Sequence, residues 1–346
     1  MNSYLPIPEN DMVFEMLLSL ASENGRDQSL FGGCIERARK LIKPFVIGDH
    51  FPDIYLECPL KEDPFLDVTV LYTGLPEGVC INSKYASGSD ELISCFTEMR
   101  KEHSNICFGF ELDTSKEDPK AAAIHFEPRE HTELAVAFCH AAGEDKYGRL
   151  YCETAAKLTD TFPPSFFGMF RGRSDSPLRV CGYLGLREKK MIIEDTNNLV
   201  KFFDTIGFGA YDDKMLEDIT KVLKLSPVEA DYQFDIYPDR SVSDVFSIDI
   251  MLAEKSARSI RQSYQNGSLS RIMSFFRDRD IADARTDLIS ELATSFAFPV
   301  IKETGEITGF ALVIQPSWFK VRWKGAKLQN AKSYSLLRAG CVDHHL

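Results

Sequence analysis

Five times along the chain, two alternating runs of apolar and polar residues stand next to each other with only a short turn-rich stretch between them. The pairs lie at 53–72, 106–128, 165–184 and 232–251 and within 298–337, where the segments 298–316, 319–325 and 331–337 offer one strand more than a pair requires. Alternation bounded by Gly, Pro, Asp and Ser is the signature of antiparallel hairpins. Between the pairs the apolar period lengthens to that of helices, as in "SDELISCFTEMRKEH", "DKYGRLYCETAAKL" and "DDKMLEDITKVLKL". Hairpins separated by helices are not the single-strand, single-helix alternation of a dinucleotide-binding fold. Ten antiparallel strands in an open sheet would leave two unpaired edges, and closure into a barrel removes both. The expected fold is therefore of the α/β (α+β) class: a ten-stranded antiparallel barrel of five hairpins, ringed by helices. The competing arrangement is an open sheet with one solvated face.

The fourth pair, "YQFDIYPDRSVSDVFSIDIM", shows what closure implies. Phe234, Ile236, Phe246, Ile248 and Ile250 share one parity and would face the helices. Gln233, Asp235, Tyr237, Ser247 and Asp249 share the other and would face the lumen. A ten-stranded barrel is too wide for side chains alone to fill, so a polar lumen can hold water and a ligand. Extended to every pair, the alternation gives a lumen with basic Arg171, Arg173, Arg179, Lys320, Arg322 and Lys332. Its acids are Glu57, Asp67, Glu111, Asp113, Glu127, Asp235 and Asp249.

At 346 residues the chain is ample for a substantial core, and residues 1–340 read as a single domain followed by a tail at 341–346. A net charge of −12 disfavours sequence-independent nucleic-acid binding and binding to an anionic membrane. Nine cysteines without a Cys-x-x-Cys pair suit free thiols in a reducing compartment. With no signal-peptide pattern at the start and no apolar run of about 20 residues, a cytoplasmic location is expected. His125, His131, Cys139 and His140 fit no zinc spacing, and no phosphate-binding glycine loop or nucleophile elbow occurs.

The order of hairpins and helices resembles the PT barrel of the ABBA prenyltransferases, five αββα units around a chamber. The resemblance implies transfer of an allylic prenyl group from its diphosphate to an aromatic acceptor, in natural-product biosynthesis, with no required cofactor or with a Mg²⁺ held by an acid. "FLDVTV" is similar to the strand carrying that acid, which implies Asp67. "PKAAAIHFEP", "FDIYP" and "NAKSYSLL" are similar to strands that bind diphosphate, which implies Lys120, Tyr237 and Lys332. Where the returning fourth strand of that family brings an arginine, this chain has Val245. "FELD", "GMFRGR" and "KVRWKG" are also similar to bacterial proteins encoded near ribosomal peptide (RiPP) natural-product genes, some of which bind a precursor peptide without catalysis. The ligand would then be an aromatic small molecule or a precursor peptide, with or without an allylic diphosphate.

The residues themselves point to both chemistries. An ionising allylic diphosphate needs converging cations. Arg171, Arg173 and Arg179 lie across one hairpin and could form an anion clamp, with Lys320, Arg322 and Lys332 beside it. Tyr183 and Tyr237 could hydrogen-bond an oxyanion or stack on an acceptor. Asp235 or Asp249 could take the acceptor's proton if a closed chamber raises its pKa. The near balance of acids and bases suits a peptide or zwitterion equally well, or internal ion pairing alone. Whether the chain is an enzyme stays open at this level.

Overall fold

The computed structural model describes residues 5–45, 51–73, 89–114, 123–170, 176–254 and 256–342. Its strands are β1 (Leu5–Pro6), β2 (Asp53–Pro59), β3 (Asp67–Tyr72), β4 (Cys107–Asp113), β5 (Ala123–Glu127), β6 (Phe166–Phe170), β7 (Leu178–Leu184), β8 (Ala230–Ile236), β9 (Val242–Met251), β10 (Thr294–Ile301), β11 (Ile307–Lys324) and β12 (Lys327–Val342). Its α-helices are α1 (Asn10–Ser22), α2 (Arg26–Phe31), α3 (Ile35–Ile42), α4 (Ser89–Glu102), α5 (Leu134–Ala141), α6 (Asp145–Leu158), α7 (Leu186–Glu194), α8 (Asn197–Ile206), α9 (Asp213–Leu225), α10 (Ala257–Asn266), α11 (Ser268–Asp278) and α12 (Arg285–Leu292). No described helix is long and apolar enough to cross a membrane.

Strands β2 to β9 pair antiparallel in chain order. The ring is shut by two long-range pairings: β9 with β11 through Met251–Val245 against Trp318–Lys324, and β12 with β2 through Lys332–Leu337 against Pro59–Ile54. The result is a closed ten-stranded antiparallel barrel of β2–β9, β11 and β12. The competing open sheet is excluded, because no barrel strand is left with a free edge.

Alternation does the sorting. Phe234, Ile236, Phe246, Ile248 and Ile250 are all buried toward the helices, as their parity requires. Around the ring, helix aromatics lie on strand aromatics of the same outward parity. Phe96 of α4 packs on Phe108, Tyr151 of α6 on Phe167, Phe202 of α8 on Tyr232 and Phe276 of α11 on Phe319. Phe138 of α5 stacks on Phe126 with ring centroids 3.9 Å apart. Each fully buried side chain of this size contributes roughly 1.5–3 kcal/mol, so the layer between sheet and helices holds the barrel shut.

Three details differ from the sequence reading. The segment 30–45, "LFGGCIERARKLIKPF", has an apolar period that reads as one helix but is divided between α2 and α3, broken where Gly32 and Gly33 adopt φ of +61° and +72°. A Cβ on Gly32 would lie 2.1 Å from the Pro64 carbonyl oxygen, so the chain turns there because only glycine fits. Helix α5, "LAVAFCHA", carries no polar stripe, so its period is invisible. The segments 298–316 and 319–325 are not separate strands across Pro316: β11 runs unbroken over 18 residues. A register shift between Pro316 and Trp318 accommodates the proline, which cannot donate to the ladder. The first part of β11 leaves the barrel wall and pairs with β10, which carries β1 on its other edge. Strand β12 continues beside it to Val342.

Candidate active site

The inward parity lines a chamber with two adjoining halves. The first, about 260 Å³, is lined by Glu57, Glu111, Arg179, Asp235, Ser247, Lys320, Arg322 and Lys332, with Phe170 and Val245 among its few apolar walls. The second, about 310 Å³, is walled by Tyr55, Leu71, Phe166, Tyr183, Met251 and Trp318, with Asp231 and Asp249 set among them. Glu111, Arg179, Gln233, Lys320 and Tyr334 line both and form the seam between them.

The first half is an ion-pair lattice. Arg179 Nε donates to Asp235 Oδ1 at 3.0 Å, and its guanidinium lies 4.6 Å over the Phe170 ring. Lys332 donates to Glu57. Burial would raise the Glu57 carboxyl, but the Lys332 ammonium overrides it and holds it below the ordinary glutamate range. Glu111 is held low in the same way: burial opposes ionisation, and the His125 hydrogen bond of 3.0 Å with the charges of His125, Arg179 and Lys320 wins. His125 reaches Glu111 by lying across Gly168 of β6, where a Cβ would sit 2.9 Å from the imidazole. Lys320 Nζ stands 4.8 Å over the Tyr334 ring, and Arg322 Nε is buried and donates to no described residue.

The second half is aromatic, and Arg179 and Lys320 reach it only from the seam. Trp318 stacks on Tyr334 with centroids 4.8 Å apart and packs against Tyr55 at 4.5 Å. Phe166 and Tyr183 face each other across its rim at 5.8 Å. Tyr183 donates its hydroxyl to Glu127, whose carboxylate is also met by Arg129 at 3.0 Å and by the Cys107 thiol. Asp249 accepts from Gln233 Nε2 at 2.7 Å through one oxygen, while its other oxygen is buried and accepts from no described residue. Burial and the Glu57 charge outweigh Lys320 and push its pKa up to about 6. Asp231, directly across the β8–β9 ladder, also has a buried oxygen with no described donor, and burial and the Asp249 charge raise it well above the ordinary aspartate range.

Of the residues singled out in the sequence, the chamber brings together Arg179, Tyr183, Asp235, Asp249, Lys320, Arg322 and Lys332. Tyr237 does not join them. Strand β8 ends at Ile236 after a register shift, and Tyr237 opens a turn closed by its own N–H on the Ser241 carbonyl at 2.8 Å. Lys120, Arg171 and Arg173 lie outside the described residues. Asp67 stands opposite Glu57 on one side and Asp113 on the other. Burial and Glu57 raise its pKa to about 8. Among the described residues no three His, Cys, Asp or Glu side chains converge to hold a metal ion, and Glu57 is already taken by Lys332. Among the described residues, the donors around Asp67 form no Mg²⁺ site.

Sequence reasoning missed Asp231, Tyr55, Trp318 and Tyr334 as ligand-facing groups, while Gln233, placed on the lumen face by its parity, does line the chamber. The signal was present: Trp318 and Tyr334 share parity with Lys320 and Lys332, and Asp231 lies two residues before Gln233 on the same face. His125, His131, Cys139 and His140 do not converge. His125 serves Glu111, His131 sits between Glu130 and Glu133, His140 pairs with Asp145, and the buried Cys139 thiol points at Met169. Every described cysteine is a free thiol.

A closed ten-stranded antiparallel barrel with a helical ring and an interior chamber is the PT barrel of the ABBA prenyltransferases, and the chain has that fold. Similar solved structures include 5-dimethylallyltryptophan synthase from Streptomyces coelicolor, with a TM-score of 0.50, 11% identity and coverage of 97% of this chain and 98% of that one. The 6-dimethylallyltryptophan synthase from Micromonospora olivasterospora, in complex with DMASPP and Trp, gives 0.51, 12%, 94% and 95%. AnaPT from Neosartorya fischeri gives 0.51, 10%, 96% and 95%. No protein-family model matches the sequence, and no curated protein matches it significantly. At these identities the likeness is one of fold.

Proposed function

We propose that the protein transfers an allylic group from its diphosphate to an aromatic acceptor within the barrel. The supporting observation is the division of one chamber into a cation-lined half and an aromatic half that share Arg179, Lys320 and Tyr334. The diphosphate would sit in the first half against Arg179, Lys320, Arg322 and Lys332. As the allylic C–O bond breaks, the departing diphosphate takes the electron pair, and these cations stabilise its charge. The allylic carbon, facing the aromatic walls, forms a new bond to the acceptor ring held there. The ring then loses the proton at the point of attachment. Asp249 is the better base of the two candidates, because one of its oxygens is uncommitted and its pKa is raised to about 6. Asp235 is held by Arg179 and orients that guanidinium instead.

A second reading has an observation of its own. Arg179 and Lys332 are already engaged by Asp235 and Glu57, a mixed-charge lining that suits a precursor peptide held without catalysis. Melting of the protein with millimolar dimethylallyl diphosphate, with and without Mg²⁺, separates the two. Transfer requires a rise in melting temperature with the diphosphate, since a ligand of the folded state must stabilise it. No rise in either condition overturns the transfer reading and leaves the peptide reading.

A further inference from the structure

The aromatic half of the chamber holds two aspartates that no described cation pairs with. Asp231 and Asp249 are partners across the β8–β9 ladder, so their side chains leave the same face of the sheet. Side chains so placed have Cβ atoms about 4.5–5.5 Å apart. Both residues are 3% exposed, and each keeps one carboxylate oxygen that accepts from no described residue. Both line the aromatic half. Two carboxylates this close in a buried site cannot both ionise without a counter-ion.

The neighbouring cations are otherwise engaged or displaced. Arg129 is spent on Glu127, and Arg179 on Asp235. Lys320, the cross-strand partner of Asp249 on β11, directs its ammonium over the Tyr334 ring and makes no ion pair with Asp249 within 4.0 Å. Around the carboxylates stand Tyr55, Phe166, Tyr183 and Trp318, whose ring faces attract cations once water is excluded. Uncommitted buried anions walled by aromatic rings are complementary to a cation attached to an apolar body.

We propose that the acceptor taken by this half carries an ammonium group, and that Asp231 is its counter-ion. The proposal rests on the transfer reading in calling the ligand an acceptor, and it narrows that acceptor to an aromatic amine over an aromatic acid or a neutral phenol. A bound ammonium beside Asp231 also supplies the charge that lets Asp249 ionise while Gln233 holds it. The amine thus completes the base that its own ring needs.

The test is isothermal titration of the full chain with tryptamine and with indole-3-propionate, two probes sharing one ring and differing in the sign of the side-chain charge. The titrations are run without dimethylallyl diphosphate, so that a failure of the diphosphate reading is seen separately in the melting experiment. Tryptamine is expected to bind at least ten-fold more tightly, and Asp231→Asn to bring the two within about two-fold of each other by losing tryptamine affinity. Equal or tighter binding of indole-3-propionate overturns the proposal, as does a preference for tryptamine that survives in Asp231→Asn. Should that variant fail to fold, phenethylamine against 3-phenylpropionate on the unaltered protein repeats the test with a smaller ring, and equal binding of that pair overturns it.

Discussion

The two halves of the chamber are built from the same ten strands and carry comparable numbers of charged groups, yet they treat those charges in opposite ways. In the first half Glu57, Glu111 and Asp235 each have a cationic or imidazole partner, and the neighbours of Glu57 and Glu111 favour the ionised form. In the second, Asp231 and Asp249 face each other without one, and burial favours the proton. The difference shows that net charge along a strand face says little about chemistry. What counts is whether each buried carboxylate was given a counter-ion by the fold or left to find one in a ligand.

Asp235 and Asp249 make the contrast testable, since they are both inward aspartates of the same hairpin. Asp235→Asn strands the Arg179 guanidinium and is expected to lower stability by about 3 kcal/mol in urea unfolding. Asp249→Asn keeps the Gln233 hydrogen bond through its carbonyl oxygen. It is expected to leave stability unchanged or slightly higher while lowering the rate of diphosphate release in the presence of acceptor by roughly 100-fold. If the two variants exchange these phenotypes, the division of the chamber into a supporting half and a reacting half is wrong.

The next effect is in pH. Only the ionised Asp249 can accept a proton, and its raised pKa means that this form is gained as pH rises through about 6. The kcat/KM for the acceptor, which reports the protein before the acceptor binds, should therefore climb with a single limb near pH 6 and level off above it, and Asp249→Asn should flatten that limb. A limb near pH 4 would place the base elsewhere.

The smallest expected effect tests the seam between Glu57 and Asp67. The folded state holds the Asp67 proton more tightly than the unfolded chain, so its contribution to stability is present in acid and is lost as pH rises through about 8. Asp67→Asn should remove that loss and stabilise the protein at pH 9 by on the order of 1 kcal/mol relative to the parent, with little change at pH 4. Destabilisation at pH 9 would mean that the Asp67 carboxylate has a use in the fold.

Much of this architecture was legible because strand parity is a local signal. Phe234, Ile236, Phe246, Ile248 and Ile250 announce their outward face over a few residues, and Asp235 and Asp249 must then point inward. Closure was legible only by argument from edges, since the pairing of Lys332 with Pro59 joins residues far apart in sequence. Tyr237 was misplaced because a bulge between Phe234 and Ile236 ends the alternation one residue earlier than the pattern suggests. The site was less legible than the fold. Parity places Arg179 and Asp231 in the lumen alike, but only the three-dimensional register reveals that one has a partner and the other does not.

The two pairings that shut the ring have a consequence for biosynthesis. Strands β2 and β9 receive their final neighbours from residues 318–337, so a ribosome must deliver that stretch before either edge is protected. Until then the nascent chain carries two open β-edges backed by an apolar helical layer, the condition that invites intermolecular pairing. The yield of such a chain is expected to follow how long those edges stay open as well as the strength of its finished core.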